Sequence, residues 1–253
     1  MNHVSIVMIV KNGEKTIGKS LASLSAFDDV VVYDNGSSDG TKEIVKTFAN
    51  VTLVEGDFLG FGPTKNKAAS FAKHDWVLIL DADEVVEARL ANTLQHAPLD
   101  PNTVYLINFL AFYKTYPIKH CGWNNQKIRR LYNTTRTCFN DNFVHENIIV
   151  SEGMTLQELQ GGSIEHYSYQ SISDFIIKAD RYSTLFANDF VGKKRSSPAK
   201  AFFNGLYSFF RSYVLKRGFL DGYPGLLISF SHMVSNFYKY LKLYEANKER
   251  DRP

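Results

Sequence analysis

Cysteine is nearly missing from this chain: Cys121 and Cys138 are the only two in 253 residues. Two thiols make neither a disulfide framework nor a metal cluster, so reduced, structural cysteines in a cytosolic protein are expected. Long hydrophobic runs are missing too. The longest uncharged run, Gly222 to Tyr238, carries Pro224, three serines, His232 and Asn236, which makes a poor membrane span. Val4 to Val10 is apolar but too short for a signal-peptide core, and no cleavage site follows it. No internal repeat or low-complexity tract occurs. Neither the G-x-x-x-x-G-K-[ST] phosphate loop nor the G-x-G-x-x-G dinucleotide fingerprint is found. The remaining composition is ordinary for a globular protein, 44% hydrophobic and 22% charged. It can bury one substantial core, or one domain with an appendage.

The net charge of +3 conceals an asymmetry. From Lys193 onward there are twelve Lys and Arg against four Asp and Glu, while the residues before it carry 17 against 22. A basic end on a mildly acidic body suits an anionic surface, although a solvated helical face would look the same.

The chain's centre of gravity is Asp75 to Glu84, an apolar run of strand length that ends in acids. Such a run reads as a strand buried on both faces of a parallel sheet. Val4–Val10, Val30–Tyr33 and Val51–Val54 are strands of the same kind, with helices expected over Lys15–Leu24, Thr41–Ala49 and Lys65–Lys73, the last capped by Thr64. This alternation predicts a doubly wound α/β sheet, mostly parallel and flanked by helices. Later segments predict a helix over Glu87–His96, strands at Val104–Phe109, Lys127–Tyr132 and Asn147–Val150, and helices over Ser171–Asp189, Lys200–Lys216 and Gly225–Asn247. In the last of these, Leu226, Phe230, Met233, Phe237, Leu241 and Tyr244 form an apolar stripe.

Ligands of open α/β sheets gather outside the carboxyl ends of the strands. Asp34, Lys65, Asp81 and Asp83 all fall there. Side chains alternate along a strand, so Asp81 and Asp83 share one side and together suit Mg²⁺ or Mn²⁺. Asp34 could accept hydrogen bonds from a base or a sugar; Asp39 serves as ligand or as helix cap. Lys65, in a first helical turn after a glycine-rich loop, could meet phosphate. Together these groups suit a nucleoside diphosphate held through a divalent metal.

Three spaced motifs carry a resemblance: Val-x-x-Asp-Asn-Gly-Ser-Ser-Asp-Gly-Thr from Val31 to Thr41, the stretch from Gly60 to Ala68, and Leu80 to Glu84. They look like those of family 2 glycosyltransferases, inverting enzymes of the GT-A fold that use nucleotide-sugar donors. The resemblance implies that Asp34 contacts uracil, Asp81 the ribose and Asp83 the metal, with Pro63–Asn66 beside the nucleotide. Lys127 to Tyr132, Phe143 to Glu146, Glu165 to Tyr169 and Leu215 to Gly222 further resemble the lipopolysaccharide inner-core glucosyltransferases of that family. On this basis Glu146 is the base that takes the acceptor's proton, unless it is a surface Glu paired with Arg129 or Arg130. His166 completes the metal site and His145 orients Glu146 or meets substrate. Arg129, Arg130, Lys178 and Arg181 are candidates for donor or acceptor phosphates.

The expected organisation is a GT-A domain over 1–192, with a nucleotide-sugar half to 100 and an acceptor half beyond it. A basic, aromatic helical extension over 193–253 follows. Gln126 and Arg129 are followed by Arg130 where processive synthases of the family carry Trp, which implies one sugar per acceptor. Phe202, Phe203, Tyr207, Phe209, Phe210 and Tyr213 among Lys200, Arg211, Lys216 and Arg217 suit the cytoplasmic face of the inner membrane, or else a helical core and homodimer contact. The resemblance thus implies transfer of glucose from UDP-glucose to a heptose of lipopolysaccharide. Another acceptor, such as a peptide or a different lipid-linked glycan, stays open. So do a nucleotidyltransferase and a non-catalytic scaffold that binds nucleotide and membrane. Nucleic acid shares the basic–aromatic signature, but nothing else supports it.

Overall fold

A computed structural model describes residues 2–123, 126–142 and 145–251. Two compact units emerge, the first from residues 1–110 with 125–167 and the second from 111–124 with 168–253.

The first unit begins as anticipated. Strands β1 (Val4–Val10), β2 (Val30–Asp34), β3 (Val51–Glu55) and β4 (Trp76–Asp81) pair in parallel in the order β3-β2-β1-β4. Every residue of β2 is buried, as its unbroken apolar run requires, whereas β3 at the edge is half exposed. The connecting helices are α1 (Ile17–Ala22), α2 (Thr41–Val45) and α3 (Phe61–Ala69). Beyond β4 the pairing changes sense. The sheet continues through β8 (Gln126–Asn133), β6 (Thr103–Tyr113), β9 (Thr155–Tyr169) and the short β5 (Glu84–Val86), with β8 antiparallel to β4 and β6, and β5 antiparallel to β9. Helix α4 (Ala88–His96) buries Leu90, Ala91 and Leu94. The parallel expectation therefore describes the nucleotide half alone.

Three local expectations need correction. Helix α3 starts at Phe61, not Lys65, so Thr64 lies inside it and is not its cap. The Thr64 hydroxyl instead accepts the Leu59 N–H at 2.9 Å. Gly60 takes the cap position at φ 102°, a conformation costly for any side chain-bearing residue. Asn147–Val150 is not a strand but a loop with a single bridge from Ile148 to Phe139. The 15-residue β9 was read only as motif residues, because its run from Glu158 to His166 mixes charges and glycines.

In the second unit, the end of β6 pairs with β7 (Tyr116–Pro117), and the helices are α5 (Ile172–Phe190), α6 (Pro198–Phe210) and α7 (Gly222–Arg250). Ser171 and Asp174 form a capping box on α5, and the Ser197 hydroxyl accepts the Lys200 N–H at the start of α6. Helix α6 stops at Phe210, where a π-helical turn over Arg211–Leu215 takes over. The buried face of α7 is Pro224, Gly225, Ile228, Ser229 and Leu243, not the expected stripe; Leu226 and Phe230 are 44% and 52% exposed. Close approach sets this phase: a Cβ on Gly225 would lie 1.8 Å from the Gly218 carbonyl oxygen. Near this contact the small residues therefore face inward while Leu226 and Phe230 turn out, and Met233, Phe237, Leu241 and Tyr244 of the stripe are half-buried.

Candidate active site

Asp34 ends β2 and Asp81 ends β4, and β1 lies between them with Val10 beside Asp34 and Ile9 beside Asp81. Two strand spacings put these acids roughly 10 Å apart at the same edge. The Asp34 Oδ1 accepts the Gly36 and Ser37 N–H groups at 3.0 and 2.8 Å, which folds the loop back over the strand end. Its Oδ2 is buried with no partner among the described residues. An unpaired buried carboxylate oxygen is costly, so this atom suits a ligand's N–H or O–H. Asp39, by contrast, is taken up by the chain itself: it accepts the Thr41 N–H at 3.1 Å and the Glu14 N–H at 3.2 Å, while Gly40 holds the cap position of α2.

Around Asp81 the charges form a chain. The ammonium of Lys65, 4% exposed, lies 2.6 Å from Glu146 Oε1 and 3.7 Å from Asp81 Oδ1. On the other side, one guanidinium nitrogen of Arg130 lies 2.9 Å from Asp81 Oδ2 and also contacts Glu84 Oε1. Glu84 Oε2 accepts the Asp81 N–H at 2.9 Å. Burial pushes the Glu84 carboxyl up to about 8, with Arg130 opposing and Asp81 and Asp83 reinforcing. Burial works the same way on Asp81, but Arg130 and Lys65 outweigh it and hold its carboxyl well below the usual range.

Helix α3 delivers Lys65 and also places Glu146. The Asn66 side chain pairs with both backbone groups of Phe139, at 2.9 and 2.8 Å. A Cβ on Gly62 would lie 2.0 Å from the Asn140 carbonyl oxygen, so this contact requires glycine. Arg129 donates to the Ile148 carbonyl at 3.0 Å, fixing the far side of the Glu146 loop. Phe143 and Val144, expected as part of the Glu146 motif, lie outside the described residues. His145, at φ 64°, is exposed, and its carbonyl accepts from Asn142 and Asn147.

Asp83 and His166 come together separately. Register pairs Glu84 with His166, the Tyr167 N–H donates to the Asp83 carbonyl at 3.1 Å, and His166 Nε2 lies 3.1 Å from Asp83 Oδ2. A carboxylate oxygen and an imidazole nitrogen at that separation, both partly exposed, fit a divalent ion.

The strand-end cavity of about 430 Å³ is lined by Lys65, Asp81, Arg129, Arg130 and Glu146, among others. A larger one of about 760 Å³, by Glu87, Asn108 and Gly161, shares Lys127 with it but holds none of these acids. Lys178 and Arg181 belong to α5 of the second unit; Lys178 lies over the Tyr169 ring at 4.0 Å, and Arg181 is exposed.

Two expectations change. Glu146 pairs with Lys65 rather than with Arg129 or Arg130. The Asn66 amide and the Arg130 guanidinium, expected beside ligand, are bound to the chain itself. Glu84 was missed as a site residue. Its position directly after the acidic pair was the available signal.

Residues 5–150 match the model of glycosyl transferase family 2, more than half of the chain, and the chain belongs to that family. It is a glycosyltransferase of the GT-A type with a helical C-terminal region. An uncharacterised glycosyltransferase of Rickettsia typhi is 29% identical over 262 aligned positions, which cover 98% of this chain and 88% of that protein. The lipopolysaccharide core biosynthesis glycosyltransferase LpsC of Rhizobium meliloti is 25% identical over 261, covering 99% and 95%. Among solved structures, S. aureus TarS is 18% identical with a TM-score of 0.48, covering 86% of this chain and 45% of that one.

Proposed function

We propose that this enzyme transfers glucose from UDP-glucose, with inversion, to a heptose of a lipopolysaccharide inner core, one sugar per acceptor. One observation carries the reading: Lys65 joins a strand-end acid, Asp81, to Glu146, within the cavity beside the acidic turn. The free Asp34 oxygen accepts a base N–H and Asp81 a ribose hydroxyl, while Lys65 faces the diphosphate. Asp83 and His166, 3.1 Å apart, would hold Mg²⁺ or Mn²⁺. When bound, that ion neutralises charge on the UDP leaving group. Glu146 takes the proton of the acceptor hydroxyl as its oxygen bonds to the anomeric carbon and the bond to UDP breaks. Such base assistance is worth roughly 10²–10⁴-fold.

LpsC is named for lipopolysaccharide core biosynthesis, which supports a lipid-anchored core acceptor. Lys178 and Arg181 are offered to its phosphates. Among the described residues no helix is long and apolar enough to cross a membrane. Phe203, Leu206, Tyr207 and Phe210 recur every three to four residues on α6 and are 44–66% exposed. With the basic residues from Lys193 onward, they support a contact of the 193–253 extension with the anionic cytoplasmic leaflet of the inner membrane.

The full chain incubated with a panel of nucleotide sugars and heptose-terminated lipopolysaccharide tests this. Mass and NMR analysis should find one added hexose with its anomeric configuration inverted. A hexose on a peptide or another glycan would overturn the acceptor; UDP binding without turnover would leave a scaffold; a dimer that covers α6 would displace the membrane contact.

A further inference from the structure

A second group of ligating side chains sits at the amino end of the parallel strands, and the proposed reaction does not use it. His3 precedes β1, Asp28 precedes β2 and His74 precedes β4, and these three strands are neighbours. His74 Nε2 lies 3.2 Å from each carboxylate oxygen of Asp28, and His3 Nδ1 lies 3.9 Å from Asp28 Oδ2. The two imidazoles are 5.0 Å apart between ring centres. One ligand atom from each residue falls within 4.8 Å of the others.

Tetrahedral coordination with bonds of about 2.0–2.1 Å separates neighbouring ligand atoms by about 3.4 Å. The two separations from Asp28, 3.2 and 3.9 Å, bracket that value, and the His3–His74 pair lies within 4.8 Å. An Asp–His hydrogen bond accounts for Asp28 and His74 but does not require His3. The base of the group is fixed by a buried hub: Asp29 Oδ2 accepts from Ser5 Oγ at 2.6 Å and from the Lys73 N–H at 2.8 Å, and Ser5 Oγ accepts the His74 N–H at 3.1 Å. That hub ties the loops of Asp28 and His74 together, while His3 and Asp28 are 69% and 65% exposed and open to an arriving ion.

We propose that His3, Asp28 and His74 bind a divalent ion of the Zn²⁺ class, clamping the entries of β1, β2 and β4. Two imidazoles and one carboxylate suit such an ion and leave one position to water. The six residues of β4 separate His74 from the acidic turn, roughly 20 Å at 3.3 Å per residue, so this ion is distinct from one held by Asp83 and His166.

Calorimetry with ZnCl₂ on the untagged full chain, in excess Mg²⁺, tests the site. One Zn²⁺ should bind, and the melting temperature should rise with its concentration. His74→Ala and Asp28→Asn should each weaken binding at least tenfold, since even outer-shell losses cost roughly 10–100-fold. His3→Ala should do the same, and Asp83→Ala should leave binding unchanged. Equal Zn²⁺ affinity in the wild type and in the His3→Ala/His74→Ala double variant would overturn the proposal. So would absence of binding in the wild type, or its loss in Asp83→Ala.

Discussion

Arg130→Met isolates the charge chain at the strand ends. In the native protein this guanidinium, 11% exposed, lies 2.9 Å from Asp81 and also contacts Glu84. At an effective dielectric near 20, a unit pair at 2.9 Å is worth ~6 kcal/mol. Relief from desolvating the arginine offsets part of that, and breaking a buried pair typically costs about 3–5 kcal/mol. Lys65 at 3.7 Å from Asp81 is the remaining counter-charge, and Glu146 shares it. The Asp81 side chain is 43% exposed, so solvent screening lowers that figure, and a loss of about 2–3 kcal/mol at pH 7 is expected. The two tryptophans make the assay local, because Trp76 lies on β4 and Trp123 in the second unit. Urea unfolding followed by Trp76 fluorescence in a Trp123→Phe background reads the first unit alone. Adding Asp81→Asn removes the orphaned charge and should recover about 1–3 kcal/mol. Acid should narrow the gap as well: without Arg130 the Asp81 carboxyl loses its main stabilising partner, so the variant takes up a proton at higher pH than the wild type. A loss under about 1 kcal/mol, with no recovery in the double variant, is the behaviour of a solvated surface pair and would refute the buried chain.

Other outcomes test the remaining roles. Glu146→Gln should keep donor affinity and lower transfer roughly 10²–10⁴-fold, and wild-type turnover would remove it as the base. Asp83→Ala should abolish the Mn²⁺-dependent part of UDP binding; calorimetric traces identical to wild type would end its role as ligand. Serine at Phe202, Phe203 and Tyr207, which are 53%, 66% and 59% exposed, should abolish co-sedimentation with anionic liposomes at low salt, and persistence would move the contact elsewhere. His232 is held down to about 4 by burial, with Lys216 adding to the effect. Its folded value lies below the ordinary 6.5, so the neutral ring's contribution is full above 6.5 and lost as pH falls toward 4. Stability of the second unit, read from Trp123, should drop by about 3 kcal/mol over that window. His232→Gln should flatten the profile, and two superimposable profiles would exclude the ring as the cause.

The parallel half was legible because its physics is local. Apolar runs at β1, broken only by Ser5, and at β2 and β4 leave few alternatives to strands buried on both faces, and the ends of β2 and β4 locate Asp34 and Asp81. The antiparallel half was harder to read. Strand β9 runs through Glu158, Leu159 and Gln160 into the adjacent Gly161 and Gly162, so no sustained period of two marks it. Gly162 sits at φ 135° and its Cβ position would fall 2.4 Å from the Leu90 backbone nitrogen, a packing demand invisible without α4 in place. Likewise the phase of α7 follows from Gly225 pressed on Gly218, and hydrophobic periodicity selected its large residues instead.

The same division explains why the site residues could be found and the ion pairs among them could not. Asp34, Asp81 and Asp83 announce themselves at strand ends, but their counter-charges come from elsewhere in the sequence. Lys65 arrives from the helix before β4, Arg130 from an antiparallel strand 49 residues beyond Asp81, and Glu146 from a loop 81 residues beyond Lys65. Each ion pair joins segments that no single motif contains. Asn66 on Phe139 and Arg129 on Ile148 then hold that loop from both sides by its backbone, so side chains of ordinary polarity fix where Glu146 stands. Removing either anchor should displace Glu146 without touching the acidic turn. Asn66→Ala is therefore expected to lower turnover while metal-dependent UDP binding persists. Parallel loss of both would mean that helix α3 is needed for the nucleotide site itself, and that the loop's position is secondary.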